Sequence, residues 1–193
     1  MATSTESVDL VGDEAATNLA RAALFAALVG AFAYVTFPNP VSPVSVTLQV
    51  LGVFLAGIFL GPVWGAASLV LYLVAGALGA PVFQGGSAGV GQLVGQSAGY
   101  LWSYPLAAAA VGAVVHRGAT LRDLDAVGLP TLVGAMVLGT AIIYALGVVG
   151  LALVLSLGPV EAVTVGAVAF LPAEALKIAA AVGIVRSDAI AAE

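Results

Sequence analysis

The chain has 193 residues, of which 62% are hydrophobic and 8% charged, against about 45–50% and about 25% in a soluble globular domain. Its mean hydropathy is +1.16, so a soluble fold of this length would lack the polar side chains to cover its surface, and five basic residues are too few for a nucleic-acid-binding module. With no cysteine and a single histidine, His116, there is no disulfide scaffold and no thiolate or histidine metal centre. What remains is an integral membrane protein.

From Ala22 to Val115 the chain runs 94 residues without Asp, Glu, Lys or Arg, and Ala126–Val160 adds a second run of 35. The long runs of Ala, Val, Leu and Gly do not alternate as barrel strands do. Residues 1–18 carry Glu6, Asp9, Asp13 and Glu14 with no basic stretch ahead of the first apolar run. They read as a disordered acidic cytoplasmic tail rather than a signal peptide. Span 1 covers about Leu19–Phe37 and stops at Pro38-Asn39-Pro40 and Pro43. Span 2 covers about Thr47–Leu60, and a Gly61-Pro62 turn leads into span 3, about Val63–Leu78, ended by Gly79-Ala80-Pro81. An irregular segment with Gly85, Gly86, Gly89, Gly91 and Gly95 follows. Span 4 is about Ala98–Val115, then comes the polar loop His116–Gly128, and span 5 is about Pro130–Leu155. After the Gly158-Pro159 turn, Pro172 separates a short apolar segment from span 6, about Ala173–Arg186. The expected fold is therefore an all-α integral membrane protein, with six transmembrane helices over 19–186, an irregular glycine-rich 3–4 segment and a second cytoplasmic tail at 187–193.

With six crossings the N-terminus, the 2–3 turn, the 4–5 loop and the C-terminus share one side, and Arg21, Arg117, Arg122 and Arg186 all fall there. Cytoplasmic flanks carry the Lys/Arg excess, so the expectation is a multi-pass protein of the cell membrane with both termini cytoplasmic. The proline-rich 1–2 loop, the glycine-rich segment and the 5–6 segment then face outward together.

Gly85-Gly86-Ser87-Ala88-Gly89 matches the G-x-S-x-G nucleophile pattern. The one imidazole available as its base is at the far end of span 4, on the order of 30 Å away, whereas a base must lie within about 3 Å. An intramembrane serine hydrolase is therefore not expected. The same glycines lack the Gly-Lys-Ser/Thr ending of a phosphate loop. Small residues recur at four-residue spacing in Ala23/Ala27/Ala31, Gly57/Gly61/Gly65 and Gly91/Gly95/Gly99. Such rows let helices approach closely. Internal packing accounts for most of them, and the span-1 row is a candidate docking face for another membrane subunit.

Glu174 and Lys177 are ionisable groups in otherwise apolar sequence, costly in lipid unless they face a cavity or a partner. Three apart, they project from one helix face. They form either a self-compensating structural ion pair or the lining of a polar pocket at the depth of the glycine-rich segment, where irregular backbone is tolerated only beside protein or a cavity.

Pro43-Val44-Ser45-Val46-Thr47-Leu48-Gln49, Leu55-Ala56-Gly57 with Leu60-Gly61-Pro62, Gly79-Ala80-Pro81-Val82-Phe83-Gln84-Gly85-Gly86, Gly99-Tyr100-Leu101 and Leu171-Pro172-Ala173-Glu174-Ala175-Leu176-Lys177 resemble the BioY family, the biotin-binding substrate-specificity subunits of energy-coupling factor transporters. The resemblance runs from about Arg21 to Gly183. It implies a non-enzymatic six-helix subunit that captures biotin from outside. It implies further a transmembrane coupling subunit and paired cytoplasmic ATPases as partners, although some members are thought to work without them. No cofactor is implied. The family usually has Gly-Asp where Ala173-Glu174 stand, so the carboxylate here reaches one methylene further.

Biotin offers an apolar bicycle, a ureido group with two N–H donors and one acceptor, and a carboxylate tail. Glu174 suits the ureido N–H groups, Lys177 suits either the ureido oxygen or the carboxylate, and Gln49 and Gln84 supply amides. Phe83, Tyr100 and Trp102 are candidate walls, and the resemblance adds Gly85 and Gly86. A transporter or permease subunit for another small vitamin or metabolite is the alternative.

Overall fold

The computed structural model describes residues 12–187, so most of the expected N-terminal tail and residues 188–193 lie outside the described residues. Helix α1 is Asp13–Phe32. It starts at Asp13 rather than Leu19, because Asp13 and Glu14 occupy its first turn, where the helix dipole favours negative charge. It also ends at Phe32 rather than Phe37. Thr36–Phe37 (β1) pairs antiparallel with Val46–Thr47 (β2), with Thr36 opposite Thr47. β-Branched and aromatic residues on both sides of the proline-rich loop prefer this extended pairing to helix.

Helix α2, Gln49–Ala77, is broken at Gly61, whose φ of 74° and ψ of −175° suit glycine alone, and Pro62 removes the next N–H. The two arms, 49–60 and 62–77, fold back on each other. Gln49 Nε2 donates to the Tyr72 hydroxyl, although the two residues would be about 35 Å apart in a straight helix. A Cβ on Gly65 would lie 2.9 Å from the Ala56 carbonyl oxygen, so the arms touch backbone to backbone beside the bend.

The bend orphans the Ile58 carbonyl, since Pro62 has no N–H to give it. His116 Nε2 fills that place at 2.8 Å, and its Nδ1 accepts the backbone N–H of Arg122 at 3.0 Å. The tautomer with its proton on Nε2 satisfies both contacts. His116 therefore ties the bend to the end of helix α3, Ala98–His116, and to the loop beyond it.

Helix α4 is Leu129–Leu155, α5 is Pro159–Gly166 and α6 is Leu171–Val185, with a 3-10 turn Val168–Phe170 before α6. Pro172 lies in the first turn of α6, where the missing N–H costs nothing. Between α2 and α3 the chain makes 3-10 turns at Gln84–Gly86 and Val90–Leu93. This segment is pinned by Gly85 N–H to Ala33 O at 3.0 Å, Gly89 N–H to Gly76 O at 2.7 Å and Tyr34 hydroxyl to Pro81 O at 2.6 Å.

Among the described residues five stretches are long and apolar enough to cross a membrane: Asp13–Phe32, Gln49–Ala77, Ala98–His116, Leu129–Leu155 and Pro159–Val185. α2 packs most extensively on α3, α3 on α4, and α1 on α2. Lipid gives no hydrophobic drive to such contacts, so close van der Waals packing carries them. Gly147 illustrates the fit, since a Cβ there would sit 2.1 Å from the Tyr100 ring.

The bundle has two chemically different ends. Arg21 shares a groove with the Gly61 bend residues Leu60 and Val63 and with loop residues 119–121, and the Arg186 guanidinium donates to the Leu124 and Val127 carbonyls. Arg117 and Arg122 lie in the same loop. The ribbon, the 3-10 turns and the start of α6 stand at the other end, and Ser87 is among them with its hydroxyl donated to Gln84 O. Ser87 and His116 thus sit at opposite ends.

Candidate functional site

At the end away from the arginines, a cleft is lined by residues from the ribbon, α2, α3, α4 and α6. The β2 strand delivers Thr47 into the start of α2, where its hydroxyl donates to Gln49 Oε1 at 3.0 Å and accepts the Gln49 N–H at 3.3 Å. With its Nε2 on Tyr72, the Gln49 side chain ties the two arms together at the cleft wall. The first turns of α3 contribute Ser97, Tyr100 and Tyr104, α4 contributes Ile143 and Tyr144, and Phe170 precedes α6.

Three of these form an aromatic wall. Tyr100 meets Tyr144 edge-on at 5.9 Å, and Tyr144 lies 5.6 Å from Phe170. The Tyr100 hydroxyl donates to the Gly166 carbonyl at 2.6 Å, which fixes its ring and anchors α5 to α3.

Lys177 lines the cleft, and Glu174 stands behind it. Their exposures are 4% and 2%. The Lys177 ammonium lies 2.6 Å from Glu174 Oε1, which also accepts the Tyr144 hydroxyl at 2.8 Å. Glu174 Oε2 is buried with no hydrogen-bond partner among the described residues. A buried ion pair repays its desolvation only when its remaining lone pairs are also satisfied, and among the described residues none satisfies this oxygen. The cavity is narrow, about 40 Å³, enough for water but not for a bicyclic vitamin.

Of the residues singled out from sequence, Gln49, Gln84, Tyr100 and Lys177 come together on the cleft. Phe83 is 1% exposed and meets Tyr72 edge-on at 5.4 Å, so it backs the wall without lining it. Gly85 and Gly86 lie in the 3-10 turn beside Gln84. Trp102 is 55% exposed and donates its indole N–H to Leu93 O, on the outer surface of α3. Ala23, Ala27 and Ala31 form an exposed row on α1, away from its buried face Ala22, Ala26, Val29 and Gly30. Sequence reasoning missed Tyr104, Tyr144 and Phe170. A lone tyrosine within the apolar run of α4 was the one available sign of Tyr144.

A helical membrane protein with an amide, aromatic and ion-pair cleft at one end belongs to the class of multi-pass proteins that hold a small amphipathic molecule. The residue pattern of the BioY family matches residues 3–192. The chain belongs to the BioY family. It is 40% identical to biotin transporter BioY of Rhodobacter capsulatus over 73% of this chain and 72% of that protein. It is 35% identical to biotin transporter BioY of Rhizobium etli over 83% and 86%, and 36% identical to the Thermotoga maritima protein of that name over 68% and 72%. A crystal structure of the S-component for biotin from an ECF-type ABC transporter matches with a TM-score of 0.81 at 22% identity, over 92% of this chain and 93% of that one, and so shares its fold. These are transport proteins rather than enzymes.

Proposed function

We propose that the chain is a membrane-embedded subunit that binds biotin from the outer side and mediates its uptake, with a transmembrane coupling subunit and cytoplasmic ATPases. The observation that carries the reading is the Glu174–Lys177 pair at the cleft, which joins a buried donor to a vacant acceptor oxygen. A ureido group complements both: its carbonyl accepts from the Lys177 ammonium and an N–H donates to Glu174 Oε2. The aromatic wall of Tyr100, Tyr144 and Phe170 suits the apolar bicycle. The walls must part at the mouth for biotin to enter so narrow a cavity.

The broken α2 is read as two crossings, which brings the total to six, and the glycine-rich segment as part of the outer rim. The gathering of the arginines at one end supports a cytoplasmic position for that end and both termini. The exposed Ala23/Ala27/Ala31 row is the proposed face for the coupling subunit. Binding of labelled biotin to the purified chain in detergent, competed with other vitamins, tests the central reading. Saturable binding displaced by biotin alone is expected, and displacement by a different vitamin instead would overturn it.

A further inference from the structure

The cleft continues into a second, wetter hollow. Val44, Gln84 and Ser97 border both, and the outer hollow, about 290 Å³, is lined by the amides of Gln84, Gln92 and Gln96 and by Ser87 and Ser97. Its position beyond the cleft makes it a vestibule. Gln96 is exposed and Gln92 half-buried, so the vestibule is open to water.

The chain has five Lys and Arg residues. Four are arginines at the opposite end of the bundle, and the fifth, Lys177, lies 2.6 Å from Glu174. A ligand carboxylate pushed to the depth of Lys177 would meet an ammonium already neutralised and a second carboxylate beside it. Burying an ionised carboxylate costs far more than burying a neutral ureido group. Resting on the proposal that biotin is the ligand, we infer that biotin enters ring first and leaves its carboxylate in the vestibule, held by neutral amide and hydroxyl donors, so that biotin amides are substrates as well.

The second clause follows from the chemistry of the donors. A site that holds a carboxylate with a cation rejects the neutral amide strongly, because the cation is left without its countercharge. Amide and hydroxyl groups have no such preference. Each glutamine offers both donor and acceptor atoms, and can turn its carbonyl toward the N–H of an amide-linked tail. The open mouth leaves room for whatever that amide carries, such as a lysine.

Competition against labelled biotin on the purified full chain, with biotin, biotinamide and biotinyl-lysine as competitors, tests this. Both amides are expected to bind within about tenfold of biotin, and a larger loss for biotinamide would overturn the inference. Gln96→Glu places a negative charge in the vestibule without touching the deep cleft. It should weaken biotin by about three- to tenfold more than it weakens biotinamide, through charge repulsion in a wet site. Gln92→Glu serves as the second variant. An equal loss of both ligands, or none of either, in a folded variant would place the carboxylate elsewhere. If the unmodified chain binds neither biotin nor its amides, the proposed ligand itself is wrong, an outcome distinct from all of these.

Discussion

The Lys177 ammonium lies 2.6 Å from Glu174 Oε1, yet only Lys177 lines the cleft, while the second oxygen of Glu174 is buried with no partner among the described residues. The pair is at once an internal neutralisation and an incomplete one. Tyr144, on a different helix, completes the first oxygen at 2.8 Å and leaves the second without a partner among the described residues.

Replacement of either charge separates these two roles. Lys177→Met or Glu174→Gln should weaken biotin binding by about 1.5–3 kcal/mol, the worth of a hydrogen bond to a charged group, or roughly 10- to 150-fold. Each also strands its neighbour's charge, so thermal stability falls. In the double variant folding recovers, because an uncompensated buried charge is the main cost, while binding stays impaired. Calorimetric titration beside a melting curve reads both, and near-native affinity in a well-folded double variant would assign the pair to structure alone.

His116→Ala should lower stability by about 1–3 kcal/mol, since the Ile58 carbonyl is left buried without a donor. His116→Gln keeps an amide N–H in reach and should recover part of that loss. Biotin affinity should change little in either, because the bend and the cleft are at opposite ends. Melting curves with and without biotin check the pattern, which fails if His116→Ala leaves stability untouched.

Topology is open to a clean test because the chain contains no cysteine. A single cysteine at Thr120, in the loop near Arg117 and Arg122, should react with a membrane-impermeant maleimide only after the cells are permeabilised. Reaction in intact cells would put the arginine end outside.

Ala27→Leu adds bulk to the exposed small-residue row on α1, where a close helix approach leaves no room for it. Co-purification with a coupling subunit should fall, and biotin binding by the isolated chain should not. Undiminished co-purification would move the docking face elsewhere.

The positions of the helices were legible because their signals are local. Charge-free runs with Pro and Gly at the breaks located α3 and α4 within a residue or two, and the Gly61-Pro62 turn is where α2 bends. The ends of α1 were not legible. Hydropathy cannot tell helix from a two-residue ribbon when both are apolar, and pairing Thr36 with Thr47 depends on a partner across the proline loop. The cleft was half legible for a related reason. Gln49, Gln84 and Lys177 stand out as polar groups in an apolar chain, but Tyr144 and Phe170 carry the same hydropathy whether they face lipid or a cavity. Which of those they face is decided by contacts such as Tyr144 with Glu174, far apart in sequence.

The glycine crossing beside His116 has a mechanical meaning. There Gly112 of α3 meets Gly61 and Pro62 so closely that a Cβ on it would lie 2.5 Å from their backbone atoms, and main chain presses on main chain with no side chains between. At the other end side chains stand between the helices instead: Tyr100 and Tyr104 of α3, the Gln49–Tyr72 contact within α2 and the Glu174–Lys177 pair of α6. The molecule is built like a pair of tongs, with main chain against main chain in the grip at the arginine end and side chains lining the tips around the cleft. Whatever enters between the tips finds no corridor through the grip.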